Sequence, residues 1–339
     1  MTQFLDSKHI EVIRHSLWCG REFGRAAVMI GAGFSRNADA RVASAQSFPL
    51  WFDMVALLVD KLYPQHHYAE SFRNDVVNGA VATSGALRLA EEFEAAFGRQ
   101  RLDELISSSI PDEQHNPGKI HRLLLEMPWS DILTTNYDTL LERTRQDVVD
   151  RRYDVVRTID DIPHSQRPRI VKLHGSLPSH RPFVFTEEDF RKYPTGSSAF
   201  VNLAQQAIME NVVCLLGFSG DDPNFLYWTG WVRDNLGYSS PRIYLCGLLD
   251  LTESQRLLLY RRNVTPIDLS PLFSEDEYPV PNIRHRSATE WFLLSLEAGR
   301  PPDPLSWPNS PETYTVPSSG LPQILSPSHQ IPVQESHHP

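Results

Sequence analysis

Short apolar runs alternate with longer amphipathic segments along most of the chain, and this alternation constrains the fold more than any other feature. Segments with apolar residues at helical spacing, such as 198–210 and 253–262, lie between the runs, and a similar segment at 288–298 predicts a closing helix. Short buried strands that alternate with longer helices are typical of a parallel sheet covered by helices. The sequence therefore predicts an α/β fold built on a Rossmann-like parallel sheet. The predicted strands are 26–30, 131–135, 211–217, 241–248 and 264–269, together with a strand in 169–177 that runs into a Gly-containing turn.

Two parts of the chain depart from this alternation. Between the first and second predicted strands there are only helical patterns, which predict a helical insertion subdomain at about 49–127. From residue 301 onward the periodicity is lost, and ten of the last 39 residues are proline. Such a composition is typical of a linker or a disordered tail. We therefore expect one domain over residues 1–300 and a Pro-rich tail over 301–339.

Composition and charge narrow the class of protein. The formal net charge is −10, which argues against a protein that coats DNA or RNA, because phosphate binding needs a basic surface. The three cysteines lie far apart and form no Cys-x-x-Cys pair, so neither a disulfide framework nor a four-cysteine zinc site is expected. The N-terminus lacks an apolar signal segment, and no run approaches the roughly 18 apolar residues of a membrane span. We therefore expect a cytoplasmic protein without a membrane span.

The first predicted strand runs directly into Gly31-Ala32-Gly33, in the segment VMIGAGFS. Glycines allow a sharp turn and the close approach of a ligand, and successive backbone amides can hold a diphosphate. The segment is not a complete G-x-G-x-x-G motif, because Arg36 stands where the third glycine would be. Two interpretations remain: a nucleotide-binding loop, or an ordinary glycine pair where a strand enters a turn.

The second predicted strand ends in Thr134 and Thr135 and is followed by Asn136, Tyr137 and Asp138. In open α/β sheets the carboxyl ends of the strands are where ligands bind. One interpretation of the polar cluster is a helix cap, in which Asn136 or Asp138 accepts a backbone hydrogen bond. The other is a pair of polar side chains directed at a carboxamide or a water molecule, since Asn offers both a donor and an acceptor.

Two further strand ends carry candidate site residues. His174 follows a strand in VKLHGSL, and a histidine pKa near 6.5 suits proton transfer at neutral pH, although a lone histidine is more often structural. The segment LLGFSGDDPNF is a second glycine loop, and it lacks the second glycine of a G-x-S-x-G nucleophile elbow. We interpret Ser219 as a contact to phosphate or ribose and Asp222 as a helix cap. No third ligand supports a metal site at Asp221 and Asp222.

Four strand-end elements thus occur in one order: GAGFS, TTNYD, KLHGS and GFSGDDPNF. This ordered set resembles the sirtuin superfamily, in which the corresponding elements are a GAG-x-S loop, a T-Q-N-I-D segment, a His-Gly pair and a G-T-S-like loop. The resemblance covers roughly residues 25–270. It implies that NAD+ lies across the strand ends as a substrate.

The chain departs from the protein-deacylating sirtuins in two respects. It has no zinc module with paired Cys-x-x-Cys, and the region NADARVASAQSFPLW replaces their Gly-Ile-Pro-Asp-Phe-Arg segment. The bacterial branch without zinc resembles NAD-consuming effectors of antiphage defence. The expected function is therefore a regulated NAD+ hydrolase that releases nicotinamide and ADP-ribose. The alternatives are an NAD-dependent protein deacylase and a non-catalytic module that binds ADP-ribose or NAD+.

The resemblance also implies which residues act on NAD+. His174 is the expected general base, Asn136 orients the ribose or the attacking water, and Asp138 accepts a hydrogen bond from the nicotinamide carboxamide. No metal is expected at this site. The expected NAD+-binding residues are Gly31, Ala32, Gly33, Ser35, Thr135, Gly217 and Ser219.

A freely active NADase would harm its host, so we expect its activity to be switched on by an interaction. We expect a homo-oligomer, with the predicted helices at 49–63 and 84–108 as candidate contact surfaces. We also expect a partner protein or a fused sensor domain beyond the Pro-rich tail. Direct contact with nucleic acid or a membrane is not expected.

Overall fold

The computed structural model describes residues 4–20, 22–80, 83–218 and 222–298, and its centre is a seven-stranded sheet in which all neighbouring strands are parallel. In chain order the strands are β1 (Ala26–Ile30), β2 (Asp39–Ala40), β3 (His115–Asn116), β4 (Asp131–Thr134), β5 (Asp154–Val156), β6 (Arg169–Lys172), β7 (Val212–Leu216), β8 (Ile243–Gly247) and β9 (Val264–Asp268). The order across the large sheet is β5-β6-β4-β1-β7-β8-β9, and β2 and β3 form a separate antiparallel pair.

The strand order of the sheet reverses direction at β1. Val28 of β1 is opposite Ile132 of β4 on one side and opposite Cys214 of β7 on the other. The chain first adds β4, β5 and β6 on one side of β1, and then returns to add β7, β8 and β9 on the opposite side. Ligands of open α/β sheets bind in the crevice that such a reversal leaves at the carboxyl edge.

Helices cover both faces of the sheet. In chain order they are α1 (Ser7–Leu17), α2 (Ala32–Ser35), α3 (Trp51–Leu62), α4 (Glu70–Gly79), α5 (Thr83–Phe97), α6 (Arg99–Ser109), α7 (Lys119–Glu126), α8 (Leu140–Thr144), α9 (Glu187–Gly196), α10 (Ser198–Glu210), α11 (Pro223–Leu236), α12 (Glu253–Arg261) and α13 (Pro281–Glu297). Successive side chains of a strand point to opposite faces, so Val28 and Ile30 pack with α1, α7 and α13, whereas Ala27 and Met29 pack with α10 and α11.

Helices α3 to α6 form a helical insertion around an apolar core of their own. Ala90 of α5 and Ile106 of α6 are completely buried in that core, and Phe183 and Phe185 from the segment before α9 join it. Helix α7 lies inside the range expected for the insertion but packs on the sheet, with Leu124 in the core beside α13. The insertion therefore meets the sheet near the segment that precedes α9.

The predicted parallel α/β fold is confirmed, whereas two elements differ from the prediction. Strand β5 has three residues, too few to show a period, and forms through pairing such as Val155 opposite Ile170. Helix α13 begins at Pro281, although the apolar pattern predicted a start at residue 288. Its first turns carry charged and polar side chains and therefore show no apolar period.

Across the described ranges, no group of three or more His, Cys, Asp or Glu could hold a metal ion. No helix in those ranges is long and apolar enough to cross a membrane. Cys214 and Cys246 are buried free thiols and Cys19 is exposed. The Pro-rich segment 301–339 lies outside the described residues.

Candidate functional site

A cavity of about 380 Å³ opens at the carboxyl edge of the sheet. Its walls come from the ends of β6, β4, β1, β7 and β8, which are consecutive neighbours in the sheet. At about 4.8 Å between strands, five strand ends extend over roughly 19 Å, so the cavity suits an elongated ligand. The predicted site residues that line it are Gly31, Gly33, Thr135, Asn136, His174 and Gly217.

The glycines at the ends of β1 and β7 are in direct backbone contact. The Gly31 N–H donates to the Leu216 carbonyl at 3.0 Å, and the Gly33 N–H donates to the Gly217 carbonyl at 2.9 Å. A Cβ on Gly217, whose φ is +60°, would lie 2.1 Å from the Phe34 nitrogen. These glycines therefore allow two turns to pack together. The two amides that we expected to hold a diphosphate already donate to backbone carbonyls in this conformation.

A buried hydrogen-bond network orients the Asn136 side chain. Asn136 Nδ2 donates to the Gly31 carbonyl at 3.0 Å and to Ser35 Oγ at 2.9 Å. Ser35 Oγ donates in turn to Asp138 Oδ2 at 2.7 Å. Both hydrogens of the Asn136 amide are thus used by protein acceptors, which leaves Oδ1 as the atom that can accept a hydrogen bond from a ligand or a water.

Asp138 is placed differently from the expected carboxamide contact. It is buried beside the cavity rather than lining it, and its Oδ1 accepts from the Leu140 N–H at 3.1 Å while Oδ2 accepts from Ser35. The bond to Leu140 matches the helix-cap interpretation, because Leu140 begins α8. Burial raises the pKa of Asp138, and the nearby Lys172 and the Ser35 hydrogen bond oppose that rise.

Lys172 supports the same segment and was missed by the sequence analysis. Its side chain is 1% exposed, donates to the Asp138 backbone carbonyl, and lies 3.5 Å from Glu142 Oε1. A lysine is rarely buried unless it is paired. Its position between the apolar residues Val171 and Leu173 was the available signal.

His174 is buried at one end of the cavity. Its ring makes edge contacts with Phe190 and Tyr193 at centroid distances of 5.3 and 5.5 Å. Its Nε2 lies 3.1 Å from Nδ2 of Asn224, a residue that the sequence analysis did not select. Burial lowers the pKa of His174, and Asp222 and Asp189 partly oppose this effect. The neutral imidazole is therefore favoured near neutral pH.

Residues remote from the four motifs complete the cavity wall. Trp51 at the start of α3 stacks on Phe185, with ring centroids 5.1 Å apart and planes at 13°. His285 of α13 reaches the glycine turn, where its Nε2 donates to the Gly33 carbonyl at 3.0 Å. Local pattern could not find these residues, because their positions depend on how the insertion and α13 pack.

Of the remaining predicted residues, Asp222 lines the cavity, Ala32 and Ser35 lie beside it, and Ser219 is outside the described residues. Ala32 begins α2 and Ser35 ends it, and neither lines the cavity. Asp222 caps α11, where its carboxylate accepts from the Phe225 N–H at 3.0 Å, which confirms the predicted cap. Ser219 lies outside the described residues.

Comparison with known proteins supports the resemblance for the second half of the sheet. A model of the SIR2-like domain matches residues 130–267, which run from β4 into β9 and include Asn136, His174 and Gly217. This part of the chain is therefore similar to a SIR2-like domain. The resemblance inferred from the four ordered strand-end elements is thereby confirmed.

The chain is also similar to several known proteins. Defense-associated sirtuin 2 of Bacillus subtilis is 24% identical over 281 residues, which cover 81% of this chain and 26% of that protein. The NAD(+) hydrolase ThsA of Acinetobacter baumannii (strain 532279) is 28% identical over 144 residues, 40% of this chain and 28% of that protein. The chain thus spans only a minor part of the length of these relatives. A solved SIR2 homologue–NAD complex is 13% identical with a TM-score of 0.43, covering 86% of this chain and 94% of that chain.

Proposed function

We propose that this chain is an NAD+ hydrolase that cleaves the bond between nicotinamide and ribose. The observation that carries the proposal is the single cavity across five strand ends, with Asn136 and His174 toward one side and Gly247 toward the other. An elongated dinucleotide fits such a crevice, which lies at the reversal of strand order. The names of the relatives, a defence-associated sirtuin and NAD(+) hydrolases, support the same substrate.

The proposed orientation of NAD+ follows the order of the strands. The nicotinamide end lies near Asn136 and His174, where Trp51 and Phe185 provide an apolar wall that limits water. The diphosphate crosses the turn at Gly31 and Gly33, and the adenosine end extends toward Gly217 and the end of β8. Contact between the diphosphate and the Gly33 N–H requires the Gly217 carbonyl to move away.

The proposed reaction is hydrolysis at C1′ of the nicotinamide ribose. The water oxygen forms a bond to C1′ while the C1′–N bond breaks, and the electron pair of that bond stays on nicotinamide. The pyridinium charge is thereby neutralised, so the leaving group needs no proton. The water loses one proton to His174, and the products are nicotinamide, ADP-ribose and one proton. General-base assistance of this kind is typically worth about 10²- to 10⁴-fold in rate.

The roles of Asn136 and Asp138 follow from their hydrogen bonds. Asn136 presents Oδ1 to the attacking water or a ribose hydroxyl, because its Nδ2 is held by Gly31 and Ser35. Asp138 acts as a positioning residue in this proposal: it holds Ser35, and Ser35 holds Asn136. This role replaces the direct carboxamide contact that the resemblance implied. Ser35 likewise acts through Asn136 rather than on the diphosphate.

The biological role that we propose is a regulated effector that depletes NAD+ in bacterial antiphage defence. The support is the name of the Bacillus subtilis relative, a defence-associated sirtuin, and the much greater length of the relatives. Control by a homo-oligomer, a partner protein or a fused sensor domain belongs to the same proposal. The Pro-rich segment 301–339 is the proposed connection to such a partner.

Nicotinamide release tests this function. Purified full-length chain is incubated with NAD+, with and without an acetylated lysine peptide, and nicotinamide and ADP-ribose are quantified by chromatography. The proposal predicts equal amounts of nicotinamide and ADP-ribose without peptide. Release that occurs only with the acetylated peptide would instead establish a protein deacylase, and NAD+ binding without any turnover would establish a binding module.

A further inference from the structure

We infer that Asn224 is a positioning residue that sets the protonation form of His174. This inference rests on the proposed function, in which His174 is the general base. The amide of Asn224 donates a hydrogen bond to the single lone pair of the neutral ring, at Nε2. The ring can take a proton at Nε2 only when this amide has turned by about 180°, so that its oxygen accepts from the charged ring. Asn224 therefore sets both the form in which the base waits and the orientation that it needs to take a proton.

The two side chains are held in contact by the fold. His174 is 3% exposed and Asn224 is 2% exposed, and the distance from Asn224 Nδ2 to His174 Nε2 is 3.1 Å. Asn224 lies in the first turn of α11, which begins at Pro223 and is capped by Asp222. The histidine ring is fixed on its other edges by Phe190 and Tyr193. A different rotamer of His174 or of Asn224 would lose these buried contacts.

The observed contact specifies one form of the ring. The Asn224 amide nitrogen has only hydrogens to offer, so His174 Nε2 must present its lone pair. In the neutral imidazole the proton is then on Nδ1. An asparagine, unlike a carboxylate, imposes this form without stabilising the imidazolium by charge.

The charged groups near the His174 ring form their hydrogen bonds with other partners. Asp189 of α9 is paired with Arg99 at 2.8 Å, and Asp222 of α11 accepts the Phe225 N–H. Tyr193 of α9 donates its hydroxyl to the Leu173 carbonyl. Both carboxylates favour the charged ring at a distance, yet no described carboxylate forms a hydrogen bond to it. Among the described side chains, the direct hydrogen-bond partner of the ring is the neutral amide of Asn224.

The test compares the variants Asn224→Asp and Asn224→Leu in the full-length chain. The imidazole of His174 is followed by NMR across pH, with its signals assigned from a His174→Gln sample. In Asn224→Asp we expect the pKa of His174 to rise by about 1 to 3 units, the usual effect of an adjacent opposite charge. The apparent pKa of the acidic limb of the NADase pH profile should rise by the same amount. In Asn224→Leu we expect no rise in the pKa of His174 or in this apparent pKa.

Asn235→Asp is the matched control, because Asn235 is exposed on the same helix and donates only to the Trp231 carbonyl. It adds the same charge and should leave the pKa of His174 unchanged. An unchanged pKa in folded Asn224→Asp would overturn the inference. If that variant does not fold, the wild-type ring decides: nitrogen shifts that place the neutral proton on Nε2 rather than Nδ1 would also overturn it.

The NMR readout separates this inference from the proposed function. A raised pKa of His174 in Asn224→Asp, with no turnover of NAD+ by any form of the chain, supports the positioning role and contradicts the hydrolase. Nicotinamide release by the wild type, with a pKa that Asn224→Asp leaves unchanged, supports the hydrolase and contradicts the positioning role.

Discussion

The side chain of Asn136 lies 2.9 Å from Ser35 Oγ, although 101 residues separate them in sequence. This bond joins the segment after β4 to the helix after β1, and Asp138 extends it by accepting from Ser35 at 2.7 Å. The orientation of Asn136 therefore depends on residues that do not line the cavity. A substitution behind the cavity wall should change activity without touching the substrate.

Ser35→Ala should lower the rate of NAD+ turnover by releasing Asn136 and leaving Asp138 Oδ2 without its donor. A buried acceptor that loses its partner typically costs about 1 to 3 kcal/mol, so the free energy of unfolding should fall by a similar amount. Urea denaturation and nicotinamide release measure the two effects. Ser108→Ala is the control, because Ser108 is exposed and its hydroxyl contacts only the Leu105 carbonyl. If Ser35→Ala and Ser108→Ala had the same rate of NAD+ turnover and the same free energy of unfolding, the proposed network would be refuted.

Lys172→Met should destabilise the fold strongly. The substitution leaves the buried Glu142 without its nearest cation and the Asp138 carbonyl without its donor. Breaking a buried ion pair from one side typically costs about 3 to 5 kcal/mol. The double variant Lys172→Met/Glu142→Gln should recover part of that loss in urea denaturation. Lys192→Met, at an exposed ion pair, should change stability little, and a loss as large as that of Lys172→Met would contradict the assignment.

Gly217→Ala should distort the contact between the two glycine turns. The φ of Gly217 is +60°, and an added Cβ would lie 2.1 Å from the Phe34 nitrogen, so backbone must shift. We expect weaker binding of ADP-ribose in calorimetry and a lower free energy of unfolding. Gly230→Ala is the matched control in α11, where an added Cβ meets no atom within 4 Å. That change should stabilise the helix by about 0.5 to 1 kcal/mol.

The fold should lose stability as the pH falls below about 6.5. Burial lowers the pKa of His121 to about 3 and also lowers those of His174 and His285. The unfolded chain then binds protons before the folded chain does, so stability is present above the unfolded pKa and declines below it. For His121 alone the loss by pH 5 is about 2 kcal/mol, at 1.36 kcal/mol per pH unit.

His121→Asn tests this pH dependence. Asparagine does not titrate and can keep an acceptor for the Gly118 N–H, which His121 Nδ1 accepts at 3.2 Å. The difference in the free energy of unfolding between pH 7.5 and pH 5 should be smaller in His121→Asn than in the wild type. The exposed His66 provides the control, and His66→Asn should leave the difference unchanged. Parallel pH curves for wild type and His121→Asn would show that His121 does not contribute.

The sequence predicted which strand ends meet, because parallel strands bring their carboxyl ends to one edge. Gly31, Asn136, His174 and Gly217 line one cavity for that reason. The position of a strand end does not determine the direction in which a side chain at that edge points. Asp138 turns away from the cavity because Ser35 and the start of α8 take its oxygens, and no local pattern records that competition.

Other site residues could not be read from the sequence because tertiary packing places them. Trp51 reaches the cavity only because the insertion docks beside Phe185, and His285 only because α13 crosses the glycine turn. Asn224 is contributed by the helix that follows β7, yet its partner follows β6. Lys172 had a local signal, a charge between the apolar residues Val171 and Leu173, but its partners are known only from the fold.

The rate of nicotinamide release by His174→Ala, measured beside wild type and His164→Ala, tests the central claim most directly. His164 is exposed and lies outside the cavity. We expect His164→Ala to match the wild type and folded His174→Ala to lose about 10²- to 10⁴-fold in rate, with Asn136→Ala similarly impaired. Unchanged nicotinamide release by His174→Ala would contradict the assignment of this crevice as the site of NAD+ hydrolysis.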